Sequence, residues 1–327
     1  MAERASVFEF VQWGVESTAG TEVNADKVLE AISLTANREG SVETFRPAGS
    51  KFATLVTVGK EHTVAELDGI LDYNCIVYPL AGLVSYSSPS QIGTLSAYTW
   101  TFTPSTSGPD TVKTYTVEKG SSVRAEQFEY GQMTGLSFSY SAKDSQITLS
   151  GNMIGNDLRD GITKTSSPTT VAAVPVHPDQ CEVRLATTQA AVSGATALSR
   201  LLSFEWRYED KYGPLFVAGT NNSFVATVEQ EANLGGTFVV EANSEGMAYL
   251  ANAQAGDQLW LEFLATGAAI GTVNYKINVT MPIVLSALPP LSDSDGVVAA
   301  EYEFTAVHDA TWGKALQITV VNAVSAL

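Results

Sequence analysis

Several residue types are scarce in this chain of 327 residues, and each scarcity excludes a class of protein. The two cysteines, Cys75 and Cys181, stand in no C-x-x-C spacing. They predict two reduced, packed thiols and not a disulfide framework or a zinc site. The three histidines, His62, His177 and His308, are scattered along the chain, so no metal site is predicted.

Long apolar runs and positive charge are also in short supply. No run reaches the roughly 18 residues of a membrane-spanning helix, and no basic segment followed by an apolar stretch opens the chain. We therefore expect neither a transmembrane helix nor a secretory signal peptide. The chain has 18 Lys and Arg against 35 Asp and Glu, a net charge of −17. A protein that grips phosphates should be basic, so the acid excess indicates either plain solubility or an anion that must pass without binding.

Catalytic and ligand-binding motifs are missing too. There is no G-x-S-x-G, no phosphate-binding loop and no dinucleotide fingerprint. The segment LSDSDGVV (291–298) resembles half of a calcium loop, but Leu291 and Tyr302 occupy the positions that should be acidic. We interpret it as a turn between strands. Carboxylate pairs such as Glu205 and Glu209 fit one solvated strand face and not a catalytic cleft, so the sequence predicts no enzyme and no cofactor.

Strand signals dominate what is present. Segments rich in Val, Ile, Thr and aromatic residues, several of them strictly alternating, predict strands at 51–59, 114–120, 135–151, 201–210, 237–242, 258–267, 275–284, 299–307 and 316–323. Two segments favour helices. Residues 62–73 have Thr63 and Glu66 at capping-box spacing, and residues 243–256 end at Gly256. The predicted fold class is mainly β.

The order of these elements suggests an internal duplication. Residues 32–50 align with 202–220 at a constant offset of 170, with the same phase of alternation. Each copy is followed by a strand and then a predicted helix. Residues 156–179, between the copies, have the Pro, Ser and Thr content of a linker. We predict two tandem β-barrel or sandwich domains with one principal helix each: domain 1 at 1–160, a linker at 161–175 and domain 2 at 176–327.

The chain resembles tail tube proteins, the major tail proteins of long-tailed, siphovirus-like phages. The resemblance spans most of the chain and lies in the order of the segments and their residue composition. It is carried by WGVESTAGTEV (13–23), ISLTANREGSVETFRPAGSK (32–51), TVAELDGILDY (63–73) and SDSDGVVAAEYEFTAVHDATWGKALQITVVNAV (292–324). It implies a structural virion protein that self-assembles into stacked rings, whose joined sheets form a hollow tube through which DNA passes to the host.

The resemblance also implies partners and a location. Two tube domains in one chain would close a homo-trimeric, pseudo-hexameric ring, and the alternative is a homo-hexameric ring in which only one domain of each chain lines the tube. A tape measure protein and tail terminator or tip proteins would bind the tube, which would be assembled in the host bacterial cytoplasm and belong to the virion tail. No membrane partner is expected.

The opening segment VQWGVESTAGTEV (11–23) allows two interpretations. In the first it is an arm that becomes ordered only against a neighbouring subunit or ring, with Trp13 as its anchor. In the second it is an ordinary strand at the entry to domain 1.

A tube that carries duplex DNA must not hold it, so its lumen should be acidic or neutral. If Phe204, Trp206 and Tyr208 face the packed layer, alternation turns Glu205 and Glu209 to the other side. The lumen-facing candidates are Glu39, Glu209, Glu229 and Glu231, and the alternative is that they lie outside the tube and aid solubility. The alternative functions are a soluble β-sandwich binding module, such as a capsid decoration protein or adhesin, and a glycosidase with paired carboxylates.

Overall fold

The computed structural model of the chain describes residues 9–219, 222–285, 291–294 and 296–327 and is mainly β, as predicted. The strands are β1 (Phe10–Val15), β2 (Lys27–Leu29), β3 (Ile32–Phe45), β4 (Leu55–Ile70), β5 (Ser90–Gln91), β6 (Tyr98–Phe102), β7 (Tyr115–Gly120), β8 (Ala125–Ser141), β9 (Thr148–Gly155), β10 (Arg159–Ile162), β11 (Thr169–Val171), β12 (Cys181–Ala186), β13 (Leu201–Glu209), β14 (Tyr212–Leu215), β15 (Ala226–Glu229), β16 (Asn233–Glu241), β17 (Gln258–Ile270), β18 (Val273–Leu285), β19 (Leu291–Ser294), β20 (Val297–Ala306) and β21 (Gln317–Asn322). The helices are α1 (Val77–Leu83), α2 (Gln189–Val192) and α3 (Leu250–Ala255), with 3-10 turns at Pro178–Gln180 and Gly246–Tyr249. None of these helices has the length and apolar character needed to cross a membrane.

A large antiparallel sheet forms the body of the molecule. Its strands run in the order β3, β4, β9, β8, β13, β16, β20. From β20 the sheet continues into β18, which also pairs with β17 and β21, and these lead on to β12 and to β6 and β5. The ends of this series do not pair with each other among the described strands, so the barrel closure that was predicted as one possibility is not present in this chain alone.

A smaller sheet lies beside it in the order β11, β2, β1, β7, β8, β10. Strand β8 is long enough to belong to both sheets: its first half pairs with β7 and β10, and its second half pairs with β9 and β13. Strands β14 and β15 form a separate two-stranded sheet.

The core lies between two parts of the large sheet that face each other. Phe138 of β8 has its ring centroid 4.9 Å from that of Phe263 of β17, and the ring of Phe204 of β13 stacks on the same Phe263 at 5.4 Å. Because buried aromatic rings carry much of the apolar area removed from water, these contacts hold the two layers together. Strands of both predicted domains share this core, and β11 occupies part of the predicted linker.

The helix predicted over 62–73 is wrong. Residues up to Ile70 lie in β4, with Thr63, Ala65 and Leu67 buried and Glu66 and Asp68 exposed. The apolar spacing of this segment fits a helix and a strand equally well, since short runs are ambiguous by period alone. Pairing with β3 on one edge and β9 on the other decides for the strand. The helix of this half is α1, which begins later and is wholly buried.

The second predicted helix is present in a shorter form. The Asn243 side chain accepts hydrogen bonds from the backbone N–H groups of Glu245 and Gly246, both at 3.0 Å, and Gly256 ends α3 in the left-handed conformation at φ 67°. The same order recurs in the two halves of the chain. A strand, an antiparallel partner strand and a helix follow one another in β3, β4 and α1, and again in β13, β16 and α3, where β14 and β15 are inserted between the two paired strands. The duplication itself stays a prediction.

A buried lysine joins elements that are distant in sequence. The Nζ of Lys211 donates to the carbonyl of Leu83 at the end of α1, at 2.8 Å, and forms an ion pair with Asp110. The side chains of Lys211 and Asp110 are 1% and 0% exposed. The carboxylate of Glu229 lies 3.7 Å away, on β15. A charge removed from water in this way is tolerated only while its partner remains.

Substitution of Lys211 should therefore unfold the protein more easily. Lys211→Met leaves the Asp110 carboxylate buried without a cation, and we expect a loss of about 3–5 kcal/mol in the free energy of unfolding, measured by urea denaturation. The double variant with Asp110→Asn should recover part of this loss. The control is Arg38→Met, which removes an exposed 2.8 Å ion pair to Glu61 and should cost about 0–1 kcal/mol. Equal losses for Lys211→Met and Arg38→Met would contradict the prediction.

Candidate assembly surface

The outer face of the large sheet is polar, and strand β13 shows how alternation creates it. Phe204, Trp206 and Tyr208 are buried, as predicted from the sequence, and Glu205 and Glu209 are half-buried on the opposite face. Both edges of β13 are paired, with β8 and β16, so its side chains have no freedom to exchange faces.

Cross-strand register carries this polar face over several strands. One row joins Asp68, Ser150, Ser137 and Arg207, and the next joins Glu205, Thr237 and Glu303. The acids that alternation places on this face are Glu39, Glu66, Asp68, Glu205, Glu209, Glu301 and Glu303. Arg207 is the basic side chain among them, and its guanidinium donates to Glu303 at 3.0 Å. The described part of this face is therefore strongly acidic.

The four predicted lumen glutamates do not all reach this face. Glu209 lies on it, beside Glu66 and Asp68, around a groove of about 220 Å³. Glu39 has the same phase on β3 and is exposed, with its carboxylate 3.7 Å from Nε2 of His62.

Glu229 and Glu231 belong elsewhere. Glu229 is on β15, where it accepts a hydrogen bond from the Asp110 N–H at 3.0 Å, and Glu231 is exposed just after that strand. Strand alternation assigns side chains to a common face only within one sheet. It does not extend the polar face of β13 to these two residues, because β15 pairs with β14 in a sheet of its own.

Trp13 is fully buried within its own chain. It lies in β1, which pairs with β7 along its whole length, and its indole meets the ring of Tyr115 edge-on at 5.2 Å. This is the position that the second interpretation of the opening segment predicts. Residues 1–8 lie outside the described part of the chain.

A buried carboxylate fixes the rest of the opening segment. The oxygens of Glu16 accept hydrogen bonds from the Gly20 N–H at 2.8 Å, the Thr114 hydroxyl at 2.7 Å and the Tyr130 N–H at 2.9 Å. Thr116 adds a fourth at 3.1 Å. Tyr130 has φ 55°, a left-handed conformation that is costly for a residue with a side chain, and the bond from Glu16 helps to hold it.

The largest group of exposed apolar side chains among the described residues lies where β3 and β4 extend beyond the core. We call residues 41–58 the long hairpin. It exposes six large apolar side chains, each more than half accessible: Val42, Phe45, Phe52, Leu55, Val56 and Val58. Val42 is paired with Val58 and Phe45 with Leu55 across the ladder. Because Val42 and Phe45 are three positions apart on β3, these two pairs lie on opposite faces of the hairpin. Monomeric proteins rarely leave so many large apolar side chains of one segment in water.

One face of the long hairpin is a continuation of the core-facing side of the sheet. Ile32 and Leu34 of β3 point into the core, and the same alternation leads along β3 to Val42. A bulge opposite Gly40 to Val42 adds a residue to β4, which brings Val58 and Val56 to that same face. The sheet thus overhangs its own core and presents an apolar face with no layer of this chain described against it.

Sequence reasoning predicted the strand at 51–59 but not its exposure. A run rich in Val, Thr and Phe is typical of a buried strand, and no local signal separates it from a strand that waits for a partner. The loop at 46–50 turns at Gly49, which has φ 83°.

The other candidates for a functional site are a metal site, the two cysteines and the segment that resembles a calcium loop. Among the described residues no group of three or more His, Cys, Asp or Glu side chains comes together as a metal site would. Both cysteines are free. Cys181 lines an open cavity of about 680 Å³ together with His177 and Asp179, and burial raises its pKa to about 12, so its sulfur is a thiol at neutral pH and a poor nucleophile. The segment 291–298 contains a turn between strands, as predicted: β19 and the start of β20 flank it, and the Gly296 N–H donates to the Asp293 carboxylate at 3.0 Å. Asp295 lies outside the described residues.

Comparison with known proteins does not identify a family for this chain. No protein-family model matches this sequence, and no curated protein matches it. Any functional assignment has to start from the surfaces described above.

Substitution of Trp13 separates its two interpretations. A core residue of this size should cost about 3–5 kcal/mol in the free energy of unfolding when it is changed to Ala, whereas an inter-subunit anchor should leave the stability of the isolated chain unchanged. We expect the first result for Trp13→Ala in urea denaturation. Phe10→Ala is the control on the same strand, because Phe10 is 44% exposed, and should cost at most about 1 kcal/mol. A Trp13→Ala chain of unchanged stability would contradict the prediction.

Proposed function

We propose that this chain is a structural subunit that self-assembles into stacked rings and forms the hollow tail tube of a long-tailed phage. The observation that carries the proposal is the long hairpin with its six exposed apolar side chains. Its partners are other copies of the chain and, by resemblance, a tape measure protein and the tail terminator or tip proteins. Its place is the virion tail, after assembly in the host bacterial cytoplasm.

The hydrophobic effect supplies the drive for assembly. Burying one Val, Leu or Phe side chain contributes roughly 1.5–3 kcal/mol, so covering only a few of those on the long hairpin offsets much of the entropy lost on association. The outer edge of β3 supports the same proposal. In the described part of the chain β3 pairs only with β4, and an open edge can extend the sheet into a neighbouring subunit.

The acidic sheet face suits a channel for DNA. In the proposed tube it lines the lumen, where Glu39 and Glu209 stand with Glu66, Asp68 and Glu205. Each phosphate neutralised by a basic wall would release counterions and retain the duplex, whereas a wall of carboxylates repels it. Glu229 lies in another sheet and Glu231 just after it, so neither is included in the proposed lumen.

The repeated order of elements favours three chains in each ring. Two tube domains per chain give a pseudo-six-fold ring from a homo-trimer, whose heterologous contacts close by rotation. The alternative is a homo-hexamer in which only one domain lines the tube. Native mass spectrometry of isolated rings distinguishes the two by mass, and six chains per ring would exclude the trimer.

Electron microscopy of the purified protein tests the proposal. We expect rings or hollow filaments in negative stain. The double variant Val56→Ser and Val58→Ser should raise the protein concentration at which they form by at least about tenfold, because each lost valine contact weakens association by about 1–2 kcal/mol. Val123→Ser is the control, since Val123 is also exposed (51%) but lies between β7 and β8 of the smaller sheet and not on the long hairpin. A chain that stays monomeric at high concentration would refute the proposal and favour a soluble binding module.

Charge reversal in the proposed lumen should create DNA retention. Glu66→Lys with Asp68→Lys turns two exposed acids on β4 into bases. We expect assembled tubes of this variant to retain duplex DNA in co-sedimentation at low salt and to release it as salt is raised, whereas unmodified tubes retain none. Asp179→Lys with Asp257→Lys changes the net charge equally at exposed positions off this face. Equal retention by both variants would show that the face does not line the channel.

A further inference from the structure

We infer that the long hairpin of one chain docks on a second apolar surface of another copy, the hairpin formed by β14 and β15. This inference rests on the proposed self-assembly and names the surface that receives the long hairpin. We call the described residues of this receiving hairpin, 212–219 and 222–229, the short hairpin.

The short hairpin exposes the second large group of apolar side chains. Leu215, Phe216, Val217, Val225 and Val228 are each between 38% and 45% exposed. Its inner side is firmly packed, because Tyr212 and Phe224 are buried and the ring of Phe224 meets that of Tyr130 edge-on at 5.1 Å. The short hairpin is therefore a supported surface whose outer apolar side chains have no described cover.

Within one chain, the short hairpin contacts the root of the long hairpin and leaves the apolar side chains at its tip exposed. The root of the long hairpin already touches the short hairpin, since the Glu61 N–H donates to the Asn222 carbonyl at 2.9 Å and His62 meets Phe216 edge-on at 5.6 Å. From Glu61 to Leu55 the strand β4 extends about 20 Å further away. The strand pairs with β3 as far as Phe45 opposite Leu55, with one bulge between Gly40 and Val42, so the tip lies beyond the contact at Glu61 and is placed to reach the short hairpin of a different copy.

The two surfaces carry opposite charges, as two surfaces that bind each other should. The tip of the long hairpin, residues 44–54, carries Arg46 and Lys51 and no acid. The short hairpin is bordered by the acids Asp210, Glu229 and Glu231. Of the cations near it, Lys211 is buried against Asp110, and Arg159, which lines a pocket with Asn222 and Phe224, is paired with Glu22 and Glu129. A basic apolar tip and an acidic apolar platform are complementary, which favours their encounter and disfavours contact between two tips.

The contact would be heterologous, since it joins different surfaces of identical chains. Such a contact leaves one free tip and one free platform at the ends of every oligomer, so it propagates unless it closes into a ring. A third apolar group, Leu291, Val297 and Val298 on β19 and β20, is a smaller competitor for the tip.

Cross-linking between two differently tagged variants tests the contact. One carries Phe52→Cys at the tip and the other Val228→Cys on the short hairpin, and they are mixed before assembly and treated with a short bismaleimide. We expect a cross-linked heterodimer. Partners with Val123→Cys or Val298→Cys in place of Val228→Cys are controls, and the chain without added cysteines gives the background from Cys75 and Cys181. Far-ultraviolet circular dichroism confirms that each variant is folded.

The outcomes separate this inference from the proposed function. Tubes or rings without the Phe52→Cys to Val228→Cys product, or with a product to Val298→Cys instead, overturn the contact and leave self-assembly standing. An unmodified chain that remains monomeric overturns both.

Charge reversal provides a second test that leaves the apolar side chains intact. Arg46→Glu with Lys51→Glu should raise the concentration needed for assembly at least about tenfold at low salt, with a smaller difference at high salt where the charges are screened. Adding Glu231→Lys should restore part of the assembly. No effect of the tip charges at low salt, or no restoration by Glu231→Lys, would overturn the contact.

Discussion

The backbone ladder between β8 and β13 is the interaction on which the rest of the structure depends. It joins Ser141 to Leu136 of β8 with Ser203 to Tyr208 of β13, across the region where the sequence suggested two separate domains. Because β8 also belongs to the small sheet, this one strand ties the opening segment, the large sheet and the second half of the chain into a common framework. Without that ladder neither the shared aromatic core nor the continuous acidic face would exist.

Register in that framework decides where polarity goes. An antiparallel ladder places paired residues on the same face, so Ser137 opposite Arg207 and Ser139 opposite Glu205 extend one polar surface from strand to strand. The same ladders send Phe138 and Phe204 inward, where both meet Phe263. Core and acidic face are therefore two consequences of a single pattern of hydrogen bonds.

The long hairpin departs from this arrangement, because its apolar side chains are exposed, and this favours association. Its core-facing side chains continue past the end of the core, and the bulge in β4 keeps Val56 and Val58 in line with Val42. A free subunit leaves this apolar face in water, which is unfavourable until another surface covers it. Net charge of −17 opposes indiscriminate sticking, and the basic tip is a local exception to that charge. Attraction is thus confined to particular parts of the surface.

Much of the fold followed from the sequence alone. Alternation and turn residues located ten of the 21 described strands, Asn243 and Gly256 marked the second helix, and the buried phase of Phe204, Trp206 and Tyr208 was correct, because these features depend on local periodicity and capping. The mainly acidic character of the chain and the polar side of β13 followed in the same way.

Tertiary structure decided the remainder. Pairing on both edges made residues 62–70 a strand, the separate sheet of β14 and β15 removed Glu229 and Glu231 from the acidic face, and packing against Tyr115 buried Trp13. The exposure of the long hairpin could not be predicted either, because a strand that overhangs the core has the same local composition as one within it, and only the position of the core distinguishes them.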